Sequence, residues 1–542
     1  MKRAYLQNKN TKENTLMRVP SGLKKSSNSR MKRIYNSIRP ALVVVALLGA
    51  TACQDRLNEP EENKKITVGT DYSLTANMIS PLLGVYAETQ DFGWENFPLI
   101  SVRGDDVNAG GLGDQQDFAE TDKFKYNKDF WMYNSLWQRL YKNVFTAHSA
   151  MEQIELYKPY AANKAVADQY VAEVKVLRAW SLFHLSRVWG SVFIPATSDP
   201  SLMLLASLAT KDEVMKHISD QMDEAIPLLP AMNPNERSDI RGGITKFTAL
   251  ALKAQANLEL KNYQAVADAT SLIISSGKFV LETDFYELFK IKGKLNKENL
   301  FELQYSDFGQ GSGDNKSYNF GFFGPQGWTP KVTGAGDGWG FFEPSLKYIK
   351  FMIDRGETIR LETSVLFTNR GIAELRKDSK YATLPAWVSN TTRSGDRIND
   401  YARAMFASGK HYLPSDQLTT GRTDYGTNKN FTCIRYAEIL LMHAEALTQS
   451  PAATSTAMTA DAAVNLVRVR AGLSSISGVT NAQVMNEKYA ELAMEWGTRF
   501  YDMIRLAKTA ELSYDGRTFT EDKTFLPYPQ AQVDLLPALK SK

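Results

Sequence analysis

The stretch Ile244-Thr-Lys-Phe-Thr-Ala-Leu-Ala-Leu-Lys-Ala-Gln-Ala-Asn-Leu-Glu-Leu-Lys-Asn-Tyr-Gln-Ala-Val-Ala-Asp-Ala-Thr-Ser-Leu-Ile-Ile-Ser-Ser-Gly277 decides the fold of this chain. Apolar residues recur every three or four positions in its first half and again in its second half, and this spacing predicts two amphipathic helices. The polar turn Lys261-Asn-Tyr263 separates the halves, and Ser275-Ser-Gly277 ends the second helix with a glycine. The stretch therefore predicts two antiparallel helices joined by a short turn.

The same spacing predicts helices along most of the chain, and the paired helices resemble tetratricopeptide units. The predicted fold class is therefore mostly α. Cys433 falls in an apolar stretch that reads as helical, and we expect it to be buried and inert. In the last predicted helix, Glu495 and Arg499 are spaced to form an ion pair one turn apart. The other predicted helices cover residues 130–157, 167–189, 211–229, 434–447 with a partner at 464–473, and 484–508.

The sequence changes character between the two sets of helices. Residues 305–345 are rich in glycine and aromatic residues, and residues 380–430 are polar with scattered tyrosine and tryptophan. Neither stretch has helical periodicity. Long loops without their own periodicity are usually functional in a compact protein, so residues 305–430 are predicted to form a loop-rich ligand-binding lobe.

The N-terminus has the pattern of a secretory leader. The basic Met31-Lys-Arg33 precedes the apolar run Ala41–Gly49, and Ala50-Thr-Ala-Cys53 follows. The apolar segment spans about 12 residues, whereas a membrane-spanning helix needs about 20. The ending resembles the lipobox of a bacterial lipoprotein, which implies that Cys53 becomes the acylated N-terminus and anchors the chain to a membrane. The alternative is a core helix or a short interfacial anchor, and Met31 could be the true start of the chain.

Composition excludes one class of partner. Residues 1–52 carry eleven basic residues and one acidic residue, so the remainder has 53 basic against 59 acidic side chains, a net charge of −6. Affinity for nucleic acid comes mainly from lysine and arginine on phosphates, and an acidic chain is a poor candidate for it. With Cys53 acylated, Cys433 has no partner for a disulfide, so packing must stabilise the fold.

Several motifs, in this order, resemble the SusD/RagB family of surface glycan-binding lipoproteins. The resemblance implies a right-handed superhelical body of four tetratricopeptide-like units with a loop-rich second lobe. It also implies a noncatalytic protein that captures glycans at the outer membrane, facing the cell exterior, as the lid of a SusC-like TonB-dependent transporter. The motifs are Cys53–Leu57, Leu177–Gly190, Ala249–Phe279, Arg435–Leu447, Val467–Leu473, Glu491–Asp502 and Leu526–Gln530.

The predicted organisation has five parts. A leader covers residues 1–52 and a flexible acidic tether covers residues 53–65. An N-terminal region with helical pairs covers residues 66–304. The loop-rich lobe at 305–430 and the C-terminal helical pairs at 431–542 complete the chain.

Two loops, at residues 94–117 and 318–342, offer the groups that bind sugars. A sugar ring has a face of C–H groups and a rim of hydroxyls, so its sites pair a flat aromatic ring with carboxylate, amide or guanidinium groups. Aromatic residues interleaved with glycine are not typical of a packed helix face. The alternative is that the rings only seal the lobe and that the polar groups cap turns. The candidate glycan-binding residues are Trp94, Asp106, Asn108, Asp117, Trp328 and Trp339.

Other chemistries have weaker support in the sequence. The aspartate-rich stretch that ends at Asp117 could instead hold Ca²⁺, although its spacing does not fit the twelve-residue calcium loop. The five histidines show no metal-ligand spacing, and neither a nucleophile elbow nor a dinucleotide fingerprint is present, so no cofactor or metal is expected. Two alternatives to glycan capture remain: a helical glycoside hydrolase or lyase, which needs two carboxylates across the bond, and a lid for peptide or another nutrient.

Overall fold

The computed structural model describes residues 69–91, 96–110, 114–311, 319–332, 336–421 and 428–540. The chain divides into two compact units, Met1–Asp71 and Tyr72–Lys542. In the described residues the second unit is mostly helical, which confirms the predicted fold class. Cys53, Trp94 and the leader lie outside the described residues. Among the residues described, no helix is both long and apolar enough to cross a bilayer.

Helices account for most of the second unit up to residue 288. The two longest helices, Trp131–Tyr157 and Lys164–Trp189, follow one another in the chain and pack together along their lengths. The helices are α1 (Ile79–Gln90), α2 (Asn96–Ser101), α3 (Gln116–Asp122), α4 (Trp131–Tyr157), α5 (Lys164–Trp189), α6 (Lys211–Ala225), α7 (Lys246–Glu259), α8 (Tyr263–Ser275) and α9 (Phe285–Leu288).

The remaining helices are short in the loop-rich stretch and longer again after it. Between residues 305 and 430, none of the described helices exceeds nine residues. The helices of the loop-rich stretch are α10 (Asn319–Phe323), α11 (Leu346–Asp354), α12 (Ile359–Ser364) and α13 (Asn369–Leu375). The helices after it are α14 (Tyr436–Gln449), α15 (Ala460–Arg470), α16 (Asn481–Leu492), α17 (Thr498–Arg505) and α18 (Gln530–Leu535).

Short strands form two-stranded antiparallel ladders in the described part of the chain. The strands are β1 (Val107–Ala109), β2 (Asn299–Leu303), β3 (Trp328–Thr329), β4 (Phe342–Pro344), β5 (Val365–Phe367), β6 (Arg397–Ile398), β7 (Phe406–Ser408) and β8 (Phe431–Arg435). The pairs are β1 with β4, β2 with β8, β3 with β6, and β5 with β7.

The helices pack as one continuous array. Neighbours in the chain pack in sequence from α4 through α5, α6 and α7 to α8. Helix α8 then packs against α14, which in turn packs against α15 and α16. Because α8 and α14 are about 160 residues apart in the chain but adjacent in the array, the intervening segment is looped out from between them.

A strand pair closes the base of this looped-out segment. Strand β2 ends at Leu303 and β8 begins at Phe431, and these two residues are partners in the antiparallel ladder. The ladder brings both ends of the intervening 127 residues together, so the lobe leaves and re-enters the helical array at one place. Cys433 lies on β8 and not on a helix. It is buried, and burial raises the pKa of its thiol.

Local sequence determines where the helices begin and end. Thr210 caps α6 through a reciprocal box in which its hydroxyl accepts from the Glu213 backbone N–H and the Glu213 carboxylate accepts from the Thr210 N–H. Asn163 caps α5 by accepting from the Ala165 N–H. At the other end of α5, Gly190 has a φ of 76°, which a residue with a side chain rarely adopts.

The single helix predicted over 484–508 is two helices in the structure. Helix α16 ends at Leu492 and α17 starts at Thr498, and Met494, Trp496 and Gly497 between them all have positive φ. The predicted Glu495–Arg499 ion pair is therefore wrong, because the break removes the one-turn spacing. The guanidinium of Arg499 instead binds Asp105, with 2.7 Å between Nε and Oδ1.

The charged residues of the C-terminal motifs form a buried network. Arg435 lies at its centre, with Nη1 3.0 Å from Glu298 Oε1 and 2.5 Å from Glu491 Oε1. Its Nε lies 2.9 Å from Glu495 Oε2, and Lys410 of the looped-out segment binds the same carboxylate at 2.7 Å. A buried charge is tolerated only when it is paired. The buried charged residues of these motifs therefore connect the lobe to the helical array.

Candidate functional site

A cleft of about 280 Å³ opens on the looped-out lobe. It combines aromatic rings, amide side chains and one oppositely charged pair. The lining residues are Asp114, Gln115, Phe322, Gln326, Trp339, Phe341 and Arg403.

Two glycine-rich segments build the aromatic side of the cleft. The segments 321–325 and 338–341 run beside each other through four backbone hydrogen bonds, including Gly340 N to Gly324 O at 2.8 Å and Phe341 N to Phe322 O at 2.9 Å. A Cβ on Gly338 would lie 2.5 Å from the backbone of Gly324. Glycine is therefore required there, because any side chain would push the two segments apart.

This pairing places Trp339 at the mouth of the cleft. Its ring meets Phe322 edge to face, with the ring centroids 4.8 Å apart. Phe322 and Phe341 are buried behind it, whereas Trp339 is only half-buried. The buried Phe322 therefore holds the tryptophan ring at the edge of the cleft.

A bidentate ion pair forms the polar side of the cleft. Arg403 Nη1 lies 2.6 Å from Asp114 Oδ1, and Nη2 binds Oδ2. The Asp114 side chain is 47% exposed and the Arg403 side chain is 14% exposed. Gly110 brings the chain segments together, since its N–H donates to the Phe341 carbonyl at 2.7 Å and a Cβ on it would lie 2.6 Å from the Arg403 carbonyl oxygen.

The arrangement suits a ligand with one apolar face and a hydroxylated rim. The half-buried indole of Trp339 offers a flat surface, and the amides of Gln115 and Gln326 offer both donors and acceptors. The volume lies near the lower end of small-molecule sites, which span about 300–1,000 Å³. Among the described residues no group of three or more histidine, cysteine or acidic side chains could hold a metal ion.

The structure corrects the prediction for Trp328. Its side chain is 6% exposed and packs in a small apolar cluster with Leu366, Ile398 and Tyr412. The Tyr412 ring meets it edge to face at 5.6 Å. Strand β3 turns this side chain into the lobe, so the ring has no free face for a sugar.

Asp106 and Asn108 also have internal partners. Asp106 is buried, and its Oδ2 accepts from the Met494 N–H at 2.6 Å. Burial raises the pKa of this carboxyl to about 6. The side-chain oxygen of Asn108 accepts from the Tyr514 hydroxyl at 2.8 Å and from Arg517. Both residues therefore hold the N-terminal segment against the C-terminal one instead of facing the cleft.

Asp117 and Trp94 are the remaining predicted residues. Asp117 is half-buried in the first turn of α3, two positions after the lining residue Gln115, but does not itself line the cleft. Trp94 lies outside the described residues. Of the five predicted glycan-binding residues that the structure describes, Trp339 is the one that lines the cleft.

Sequence reasoning missed Arg403 altogether. It lies in a polar stretch, 289 positions from Asp114. Nothing in a single sequence joins two such distant residues, because their contact depends on how the lobe folds. Gln326 and Asp114 lie in the two loops predicted to bind sugar, but no spacing distinguishes them from their neighbours.

Two family models match this chain. One, described as "SusD family", matches residues 297–541, and the other, described as "Starch-binding associating with outer membrane", matches residues 57–258. Together they cover the looped-out lobe and most of the helical array, but residues 259–296, which contain α8 and α9, lie between the two matches. The motifs that resembled this family in the sequence fall within the matched residues, apart from two. Of Cys53–Leu57 only Leu57 is matched, and of Ala249–Phe279 only Ala249–Leu258 is matched.

Curated relatives and solved structures point the same way. SusD-like protein P2 of Formosa agariphila is 27% identical over 488 residues, which is 85% of this chain and 89% of that protein. A laminarin-binding SusD-like protein superposes with a TM-score of 0.70 at 22% identity, covering 85% of this chain and 97% of that one. Surface glycan-binding protein A of Bacteroides thetaiotaomicron, solved with laminarihexaose, gives 0.68 at 23% identity over 86% and 98% of the two chains.

Proposed function

This chain belongs to the SusD/RagB family, and on that premise we propose that it is a noncatalytic glycan-binding lipoprotein of the outer membrane. It captures oligosaccharide or polysaccharide in the cleft beside Trp339. It then delivers the glycan to a SusC-like TonB-dependent transporter, which it covers as a lid.

The cleft is the observation that carries the proposal. Its half-buried tryptophan, two amides and ion pair are the groups that a sugar ring requires, and the buried Phe322 holds the tryptophan in place. Two solved proteins with the same fold are described as a laminarin binder and as a complex with laminarihexaose. Those descriptions concern the relatives, and they support glycan as the ligand class here.

The composition of the cleft favours binding over cleavage. Glycoside hydrolysis uses a pair of carboxylates flanking the scissile bond, about 5–9.5 Å apart. Among the seven described residues that line the cleft, Asp114 is the one carboxylate, and Arg403 holds both of its oxygens. An acid committed to a guanidinium is a poor proton donor, which supports a noncatalytic role.

The sequence supports the location and the anchor. The family model that matches residues 57–258 is described as associating with the outer membrane. Cys53 follows a leader-like apolar run, and its acylation would attach the chain to that membrane. That the protein faces the cell exterior is proposed from family membership. The SusC-like partner is proposed from family membership.

Incubation with a panel of glycans tests this proposal. The detergent-solubilised chain should deplete at least one glycan from solution and release no new reducing ends. Released oligosaccharide would instead support a hydrolase or lyase. Retention of peptides and not of glycans would favour a lid for another nutrient. Co-purification with a SusC-like transporter tests the partner separately.

A further inference from the structure

We infer that the cleft selects neutral glycans over glycans that carry carboxylate or sulfate groups. This inference rests on the proposed function and narrows its substrate class. It depends on the pairing of the charged groups in the cleft and on the excess of carboxylates around it.

The cation of the cleft is already neutralised. Recognition of an anionic sugar needs a guanidinium or ammonium whose donors are free to make charge-assisted hydrogen bonds. The two terminal nitrogens of Arg403 both bind the Asp114 carboxylate, in the fork geometry that an anionic ligand would itself require. An incoming carboxylate would have to displace Asp114, which is fixed to the same chain.

Neutral hydroxyls do not face this competition. Each terminal nitrogen of arginine carries two N–H groups, and each carboxylate oxygen accepts more than one hydrogen bond. The Arg403–Asp114 pair therefore keeps donors and acceptors beyond those used between its members. A hydroxyl group both donates and accepts, so it can bind such a pair without separating it. Gln115 and Gln326 add further neutral donors and acceptors.

The surroundings of the cleft also repel anions. At physiological ionic strength charges influence each other over about 8 Å, so residues next to the lining positions matter. Exposed or half-buried carboxylates predominate within three positions of any lining residue in the described chain: Asp114, Asp117, Asp337 and Asp400 stand against the cation Arg403.

A second cation approaches from another segment. The Nη2 of Arg370 donates to the Ala404 carbonyl at 2.5 Å, and its backbone N–H donates to the Asp400 carboxylate at 2.8 Å. With Arg370 counted, four exposed or half-buried carboxylates in or beside the lining segments still outnumber two guanidinium groups. The local charge remains unfavourable for uronate or sulfate.

Matched oligosaccharides test the inference directly. We would measure the affinity of the detergent-solubilised chain by titration calorimetry, using neutral and uronic-acid oligosaccharides of equal length from several backbones. The best neutral ligand should bind at least about tenfold more tightly than the best acidic one. Equal or tighter binding of an acidic ligand would overturn the inference while leaving glycan binding intact. Binding of neither set would contradict the proposed function itself, and the inference with it.

Two variants distinguish a ligand preference set by the charges of the cleft from one set by its shape. Asp114→Asn removes the anion that neutralises Arg403, so affinity for acidic oligosaccharides should rise while affinity for neutral ones falls. Asp129→Asn removes an exposed carboxylate that does not line the cleft, and it should leave the ratio unchanged. An unchanged ratio in Asp114→Asn would show that the pair does not set the preference.

Discussion

Arg403 and Asp114, 289 positions apart in the chain, form a bidentate ion pair across one side of the cleft. The pair joins the segment before α3 to the segment before β7. Because Asp114 is close to half exposed, solvent screens the pair, and its contribution to stability is small. Its main consequence is to hold a guanidinium and a carboxylate at fixed positions in the cleft.

The first prediction concerns this pair. Arg403→Ala removes the donors and leaves Asp114 without them, so glycan affinity should fall about tenfold or more, as measured by calorimetry. The matched control is Arg393→Ala, because Arg393 forms a similar bidentate pair with Asp284 and its side chain is 44% exposed, outside the cleft. Equal losses in both variants would show that arginine removal acts on the fold and not on the site.

Trp328 should act through packing. Removing a large buried aromatic side chain costs about 3–5 kcal/mol, and Trp328 packs with Tyr412 and Ile398 inside the lobe. Trp328→Ala should therefore lower the melting temperature clearly, as measured by thermal unfolding. A variant that melts like the parent chain but no longer binds glycan would identify Trp328 as a ligand contact after all.

Glu343 should make stability depend on pH. Its carboxylate is buried, and Oε2 accepts from the Met405 and Phe406 N–H groups at 2.7 and 2.9 Å. Burial raises the pKa of this group from 4.5 to about 7, so between these pH values the folded chain holds a proton that the unfolded chain has lost. Its contribution to the free energy of unfolding is fully present below pH 4.5 and declines as pH rises toward 7.

Glu343→Gln isolates this contribution. Urea unfolding of the parent and the variant at several pH values would give the difference between their free energies of unfolding. The parent's free energy of unfolding minus that of the variant should fall as pH rises from 4.5 to about 7. The total fall should be on the order of 3 kcal/mol. A difference that stays constant or grows with pH would contradict the assignment.

The lipid anchor makes a separate prediction. Cys53→Ser removes the acylation site that the leader-like sequence implies, so the protein should stay folded and no longer partition with membranes in a flotation assay. Cys433→Ala is the matched control, because that cysteine is buried on β8 and should not affect partitioning. Membrane retention of Cys53→Ser would count against the anchor.

The sequence predicted the helical array better than the site. Helical periodicity along a segment such as Ile244–Gly277 depends on neighbours three or four positions apart, which a single sequence displays. Apolar periodicity did not predict the break between α16 and α17, because it carries no sign of the positive φ that Met494 and Trp496 adopt there. Only the glycine at 497 marked the place.

The cleft depends on contacts that no local pattern contains. Trp328 and Trp339 lie in similar glycine-rich surroundings, yet β3 turns one ring inward, while the pairing of segments 321–325 and 338–341 leaves the other at the surface. No local pattern indicates that Asp106 is buried, although the Met494 N–H donates to its carboxylate in the interior. Which side of a loop faces solvent is decided by tertiary packing.

The most direct measurement of the central claim is the glycan affinity of Trp339→Ala beside that of Trp131→Ala, each by calorimetry with its melting temperature. Trp131 is 53% exposed at the start of α4 and does not line the cleft. We expect Trp339→Ala to lose about tenfold or more in affinity with little change in melting temperature, while Trp131→Ala binds like the parent. Undiminished binding by a folded Trp339→Ala protein would contradict the claim that this cleft is where glycan binds.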